Sequence, residues 1–155
     1  MAQRPPADPL VPVIKPPADP PTEAPPLLTR ASLRLHTNDD DKNDDTRLNV
    51  SVMTDEGRTI VATLSGYFGR FGDHSDAGPF DLVVVTPVTS ERLKPGRVEI
   101  HIEYPSEPGY IIPADTWRFN FFLDLLFTDG AHLLSRTNGV QLELGGVQMR
   151  SFAIE

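Results

Sequence analysis

The chain has 155 residues, a formal charge of −8, 16 prolines and no cysteine, a length that suits one domain around a single core. The absence of cysteine excludes a disulfide framework, a thiolate nucleophile and a cysteine zinc site. An acidic chain without a basic stripe also argues against nucleic acid as a partner, because phosphate contacts dominate that affinity.

Residues 1–30 form the first unit. Arg4, Lys15 and Arg30 balance Asp8, Asp19 and Glu23, so all the excess acid lies in residues 31–155. Ten of the prolines fall in residues 1–26, and "RPPADP" (4–9) returns as "KPPADP" (15–20). Each proline fixes φ and removes a backbone donor, which forbids a helix or a central strand. An extended polyproline II arm rising about 3 Å per residue is expected. Such an arm loses little entropy on docking, and Leu10, Val11, Val13 and Ile14 between the repeats are its apolar anchors for a protein partner. Prolines also interrupt any apolar run at the start, so no cleavable signal peptide is expected. No stretch reaches the roughly 18 apolar residues of a membrane span. Cytoplasmic synthesis, with incorporation into a particle or signal-free export, is the expectation for localisation.

From residue 31 to 155 the hydrophobic period becomes two. "SLRLHT" (32–37) and "RLNVSV" (47–52) place Leu33, Leu35, Leu48, Val50 and Val52 on inner faces. "RTIVATL" (58–64) follows a turn at Asp55-Glu56-Gly57, and "FDLVVV" (80–85) reads as apolar on both faces. "RVEIHIEY" (97–104) alternates strictly. "TWRFNFFLDLLF" (116–127) sets Trp117, Phe119, Phe121, Leu123, Leu125 and Phe127 at even spacing. "AHLLSRT" (131–137) and "VQLELGG" (140–146) read as two further strands, and "QMRSFAI" (148–154) as a last one. No window carries a 3.6-residue stripe bounded by caps. Short strands separated by Gly, Pro and Asp turns predict an all-β fold, an antiparallel β-sandwich behind an extended Pro-rich N-terminal arm.

Between the first two strands lies "TNDDDKNDDT" (37–46). Asp39, Asp41, Asn43 and Asp45 alternate as D-x-D-x-N-x-D, the oxygen spacing of the first half of a calcium loop. Asp44 stands where an EF-hand needs its turn glycine, Val50 where it needs its bidentate glutamate, and no helix flanks the run, so an EF-hand is excluded. A strand-connecting Ca²⁺ loop is not excluded, because a divalent cation relieves the repulsion of crowded carboxylates. Asp73, Asp76 and Asp81, in "FGDHSDAGPFD", form a second acidic loop, and Asp115 precedes Trp117. Sandwich loops cluster at two ends, so some of these are expected to meet the first loop, with Asp73 and Asp76 as further metal ligands.

These segments resemble the PLAT (lipoxygenase-homology) domain, a sandwich related in architecture to C2 domains. In "LHTNDDDKNDDTRLNVSV", Thr37, Asn38 and Asp39 are similar to the family's first turn, and Thr46, Asn49 and Val50 to its second. "FGDHSDAGPFDLVV" looks like its middle stretch, and "GRVEIHIEY…PADTWRFNFFLDLLF" like its late strands, with Trp117 as the tryptophan. The likeness spans roughly 32–130. Arg47 stands where the family favours Asp, and aspartates replace the Gly-rich turn. The resemblance implies a non-catalytic docking or targeting module. Tyr67, Phe68 and Phe71 in "GYFGRFGD", and Tyr110, Ile111 and Ile112 in "PGYIIPAD", are its candidate contact aromatics and aliphatics.

Catalytic motifs are thin. His36, His74, His101 and His132 are scattered, and no G-x-S-x-G elbow, P-loop or H-E-x-x-H occurs. Asp73-His74-Ser75-Asp76 has the letters of a nucleophile system, but residues of one loop rarely reach triad geometry. His74 fits a second metal ligand or a hydrogen-bonding loop residue better. The chain is expected to be a non-catalytic structural or adaptor protein, with a Ca²⁺-binding sandwich docked onto a larger assembly through its arm. The alternative is a Ca²⁺-dependent membrane- or carbohydrate-targeting module, since anionic lipid would attract this domain only through cations.

Overall fold

A computed structural model describes residues 24–55, 59–104 and 115–154. In chain order it contains β1 (Leu28–Thr37), β2 (Arg47–Met53), β3 (Ile60–Gly66), β4 (Asp76–Val84), α1 (Ser90–Leu93), β5 (Arg97–Glu103), β6 (Asp115–Phe127), β7 (His132–Leu144) and β8 (Met149–Ala153). All strand pairs are antiparallel, in the order β7-β6-β1-β4-β3-β2-β5-β8. The all-β expectation holds. The arm anchors Leu10, Val11, Val13 and Ile14, and the Tyr110, Ile111 and Ile112 set, lie outside the described residues.

β4 joins the two halves. Its residues 76–82 pair with β1, whereas Thr63 and Ala62 of β3 pair with Val83 and Val84. This change of partner explains why "FDLVVV" is not buried on both sides: Leu82 is in the core, but Val83 and Val85 are exposed. The two halves share one core. Phe121 of β6 meets Phe152 of β8 with ring centroids 4.8 Å apart, and Ser135 Oγ of β7 donates to the Ala153 carbonyl. Alternation accounts for the core's membership, with Leu33, Val50, Ile100, Phe119 and Leu123 fully buried.

Three local features depart from the expected strands. β1 begins at Leu28, inside the segment assigned to the arm, because Leu28 N donates to Val88 O and Leu28 faces Phe127. "AHLLSRT" and "VQLELGG" form one strand, β7, rather than two. The register against β6 shifts between Phe119 and Phe121, and Gly139 takes φ 72° there while its N–H donates to Asn120 Oδ1 at 2.8 Å. This is a bulge, not a turn. The helix α1 was not expected; its one turn is capped by Thr89, whose side chain accepts from Arg92 N. No helix among the described residues is long and apolar enough to cross a membrane.

Candidate functional site

The acid run forms one end of the sandwich, and the backbone zips it to its neighbours. Lys42 and Phe71 exchange N–H to carbonyl bonds of 3.1 and 2.9 Å, His74 N donates to Asn38 O, and Thr37 N donates to Ser75 O. On the other side Asn38 N donates to Arg118 O, and Arg118 N to Asp40 O. Segments 37–46, 67–76 and 115–118 therefore converge. Trp117 anchors the floor: it is buried, stacks on Phe119 at 3.8 Å, lies 5.8 Å from Phe71, and donates from Nε1 to Thr37 Oγ1.

A cation does sit inside this end, and it is covalently attached. Lys42 has 0% exposure. Its Nζ donates to four backbone carbonyls, those of Asn43, Thr46, Tyr67 and Gly69, at 2.9, 2.9, 2.7 and 2.8 Å. The ammonium also lies 4.7 Å from the centroid of Phe71, in reach of a cation–π attraction. Burial pulls its pKa down to about 8, against the opposing pull of Asp44 and Asp45. An isolated buried ammonium would cost far more than a surface one; carbonyl dipoles on every side offset that desolvation.

The carbonyls it holds are informative. Tyr67 O and Gly69 O flank Phe68, which takes the left-handed conformation at φ 58°, followed by Gly69 at φ 77°. Such a backbone is costly for a residue with a large side chain and persists only where surroundings enforce it. Lys42 supplies that enforcement. The result is an outward pair, Tyr67 and Phe68, 40% and 37% exposed. Arg47 lies over the Tyr67 ring at 5.9 Å, and Phe68 leans on Phe80 at 4.9 Å. Phe71, expected to join this pair, is instead 5% exposed and belongs to the core. It bonds through its backbone to Lys42, so its ring faces inward under the loop.

The carboxylates stand around the rim. Asp41 pairs with Arg70 at 2.6 Å, and Asp39 and Asp40 both lie 3.4 Å from Arg118. Asn43 Nδ2 donates to Asp115 Oδ2 at 2.7 Å. Burial raises the Asp115 pKa first, and Asp41, Asp40 and Asp45 raise it further by like-charge repulsion. Asp76 turns away to His36 Nδ1 at 2.7 Å, and Asp73 is exposed at the turn before His74. The two acidic loops thus meet through backbone, while Asp39, Asp41 and Asp76 are each engaged by a different cationic side chain, Arg118, Arg70 and His36. Among the described residues no group of three or more acidic or histidine side chains is disposed to hold a metal.

The histidines lie apart: His36 on Asp76, His132 on Asp124 at 2.6 Å, and His101 on the outer face of β5 beside Asn49 and Glu99. His74 has φ 57° and is held by its backbone to Asn38, and Ser75 Oγ donates to Gly72 O. Lys42 was missed from sequence because it reads as a charge that offsets aspartates. Alternation could not have found it, because Asp44 shares its parity and is exposed, and the run is a loop rather than a strand. In comparisons with known proteins, no protein-family model and no curated protein matches this chain.

Proposed function

We propose that this protein is a non-catalytic structural or adaptor module whose loop end docks a protein partner in a larger assembly, with the Pro-rich arm as a second tether. The observation that carries this reading is the Lys42 ammonium bonded to the carbonyls on both sides of Phe68. A built-in cation presets an aromatic pair, Tyr67 and Phe68, inside a ring of aspartates. Preorganised aromatics lose little entropy on binding and are favoured anchors of protein interfaces. The acidic rim selects a partner with a basic surface and speeds its approach.

Calcium enters this reading as a ligand of the rim. To reach Asp39 and Asp41 it would displace Arg118 and Arg70, so weak binding is expected, on the order of the 10⁻⁴–10⁻³ M of extracellular modules. The crowding of Asp115 by Asp40, Asp41 and Asp45 favours a second reading, in which Ca²⁺ on the rim bridges the exposed aromatics to a membrane. Co-purification of the native assembly with the full chain, a Tyr67→Ser/Phe68→Ser double variant and a chain lacking residues 1–23, which leaves β1 and the buried Leu28 intact, tests the first reading. Loss with both altered chains is expected; retention with both overturns it. Sedimentation with phosphatidylserine vesicles, with and without Ca²⁺, tests the second reading.

A further inference from the structure

A second surface carries unpaired charge of the opposite sign. Arg30, Arg47, Arg70, Arg97 and Arg118 pair with carboxylates, Arg150 donates to the Gln141 carbonyl, and Arg92 of α1 lacks an ion pair among the described residues but has no second arginine in register with it. Arg34 and Arg136 are exposed and have no ion pair or hydrogen-bonding partner for their side chains among the described residues. They stand in one row: Arg34 of β1 lies opposite Phe122 of β6, and Phe122 lies opposite Arg136 of β7. Two strand spacings separate the arginines by about 10 Å at the backbone, with the half-buried Phe122 ring between them. In a chain with charge −8, two guanidiniums left without acid across one aromatic ring call for an external anion.

The row borders an open cavity of about 320 Å³, whose lining also includes His36, Asn120 and Asn138. Asn120 Oδ1 is used twice, accepting from Asn38 Nδ2 and Gly139 N. Its Nδ2 has no hydrogen-bond partner among the described residues, and Asn120 lines the cavity. The one acid of the lining, Asp76, is taken by His36. The surface is rich in donors and has a flat apolar centre.

We propose that this face binds an acidic saccharide, with Arg34 and Arg136 holding its carboxylate or sulfate groups while a sugar ring rests on Phe122 and Asn120 donates to its hydroxyls. Guanidiniums match planar oxyanions through paired donors. A bare inorganic anion would leave Phe122 unused. An anionic bilayer would have to approach past Asp81 and Asp124 on the same face, which pair with Arg30 and His132, and past the aspartate rim. A soluble oligosaccharide can avoid both.

The test uses the full chain and nuclear magnetic resonance titration with four probes and a vesicle. These are tetragalacturonate, a heparin tetrasaccharide, neutral maltotetraose, inorganic sulfate and phosphatidylserine vesicles. At least one acidic tetrasaccharide is expected to bind with sub-millimolar affinity and to shift Phe122 and Asn120. Arg34→Ala and Arg136→Ala should each weaken it about tenfold, Phe122→Leu, which removes the flat ring at a half-buried position outside the core, should weaken it too, and added salt should weaken it further. The arginines are exposed, so their variants should fold normally. The proposal is overturned if neither acidic probe binds, or if the arginine variants bind unchanged. It is also overturned if sulfate or maltotetraose binds as tightly, or if only vesicles bind in an arginine-dependent way.

Discussion

At position 42 a methionine would fill the volume of the lysine stem but offer no donor to the carbonyls of Asn43, Thr46, Tyr67 and Gly69. Buried carbonyls left without partners are costly, so Lys42→Met should lose about 2–4 kcal/mol in urea unfolding. Arginine is no substitute, because its planar fork is too large for a cage built around a compact ammonium. The lysine also sets a pH signature. Its pKa is about 8 in the folded chain and about 10.4 in an unfolded one. Between these values the unfolded chain binds more protons, so stability should rise with pH across that window. Tyr104 works in the opposite sense, because its raised pKa leaves the extra proton on the folded chain above about pH 10. Urea midpoints from about pH 7.5 to 9.5 should therefore climb in the native chain and flatten in Lys42→Met. A slope unchanged by the substitution would mean that another group titrates.

Among the elements, β4 carries the most constrained position. Gly78 has φ +98°, and a Cβ there would stand 2.6 Å from Leu33 O. The register of β4 against β1 shifts between Leu33 and Leu35, opposite Ala77 and Phe80, so this close approach belongs to that irregularity. A side chain meets both a forbidden backbone region and a backbone wall. Gly78→Ala should cost roughly 2–3 kcal/mol, read as a lower urea midpoint with an unchanged slope. An equal loss at Gly139, where nothing lies within 4 Å of a built Cβ, would show that φ alone sets the cost.

For the whole molecule, the tethered Lys42 cation predicts that the loop end keeps its order without dissolved metal. Chelation with EDTA should leave the thermal midpoint unchanged, and calorimetric titration should give a Ca²⁺ dissociation constant of about 10⁻⁴ M or weaker. Arg70→Ala, which frees Asp41, should tighten it. Micromolar calcium affinity in the native chain would reverse the roles assigned to Lys42 and the rim. The two proposed surfaces also differ in sign: the loop end is acidic around aromatics, and the β1–β6–β7 face is basic around one. Salt should weaken ligands of both, through opposite charges.

Much of this fold was legible in the period of the sequence. Strict alternation placed Val98, Ile100, Ile102 and Trp117 through Phe127 inward, and all of them are buried except the intervening outward residues. The acid run was legible as a loop at a strand end, and Tyr67 and Phe68 as loop aromatics. The cage was not legible, because its donor comes from position 42 and its acceptors from 43, 46, 67 and 69, and backbone carbonyls have no sequence signature. The row of Arg34, Phe122 and Arg136 was hidden for the same reason, since only strand register brings them together. The sequence by itself thus determined strand, face and loop, because those follow from local period and turn chemistry. Only the tertiary structure decided where the Lys42 ammonium is held and which arginines stand in one row, because both depend on contacts between segments far apart in the chain.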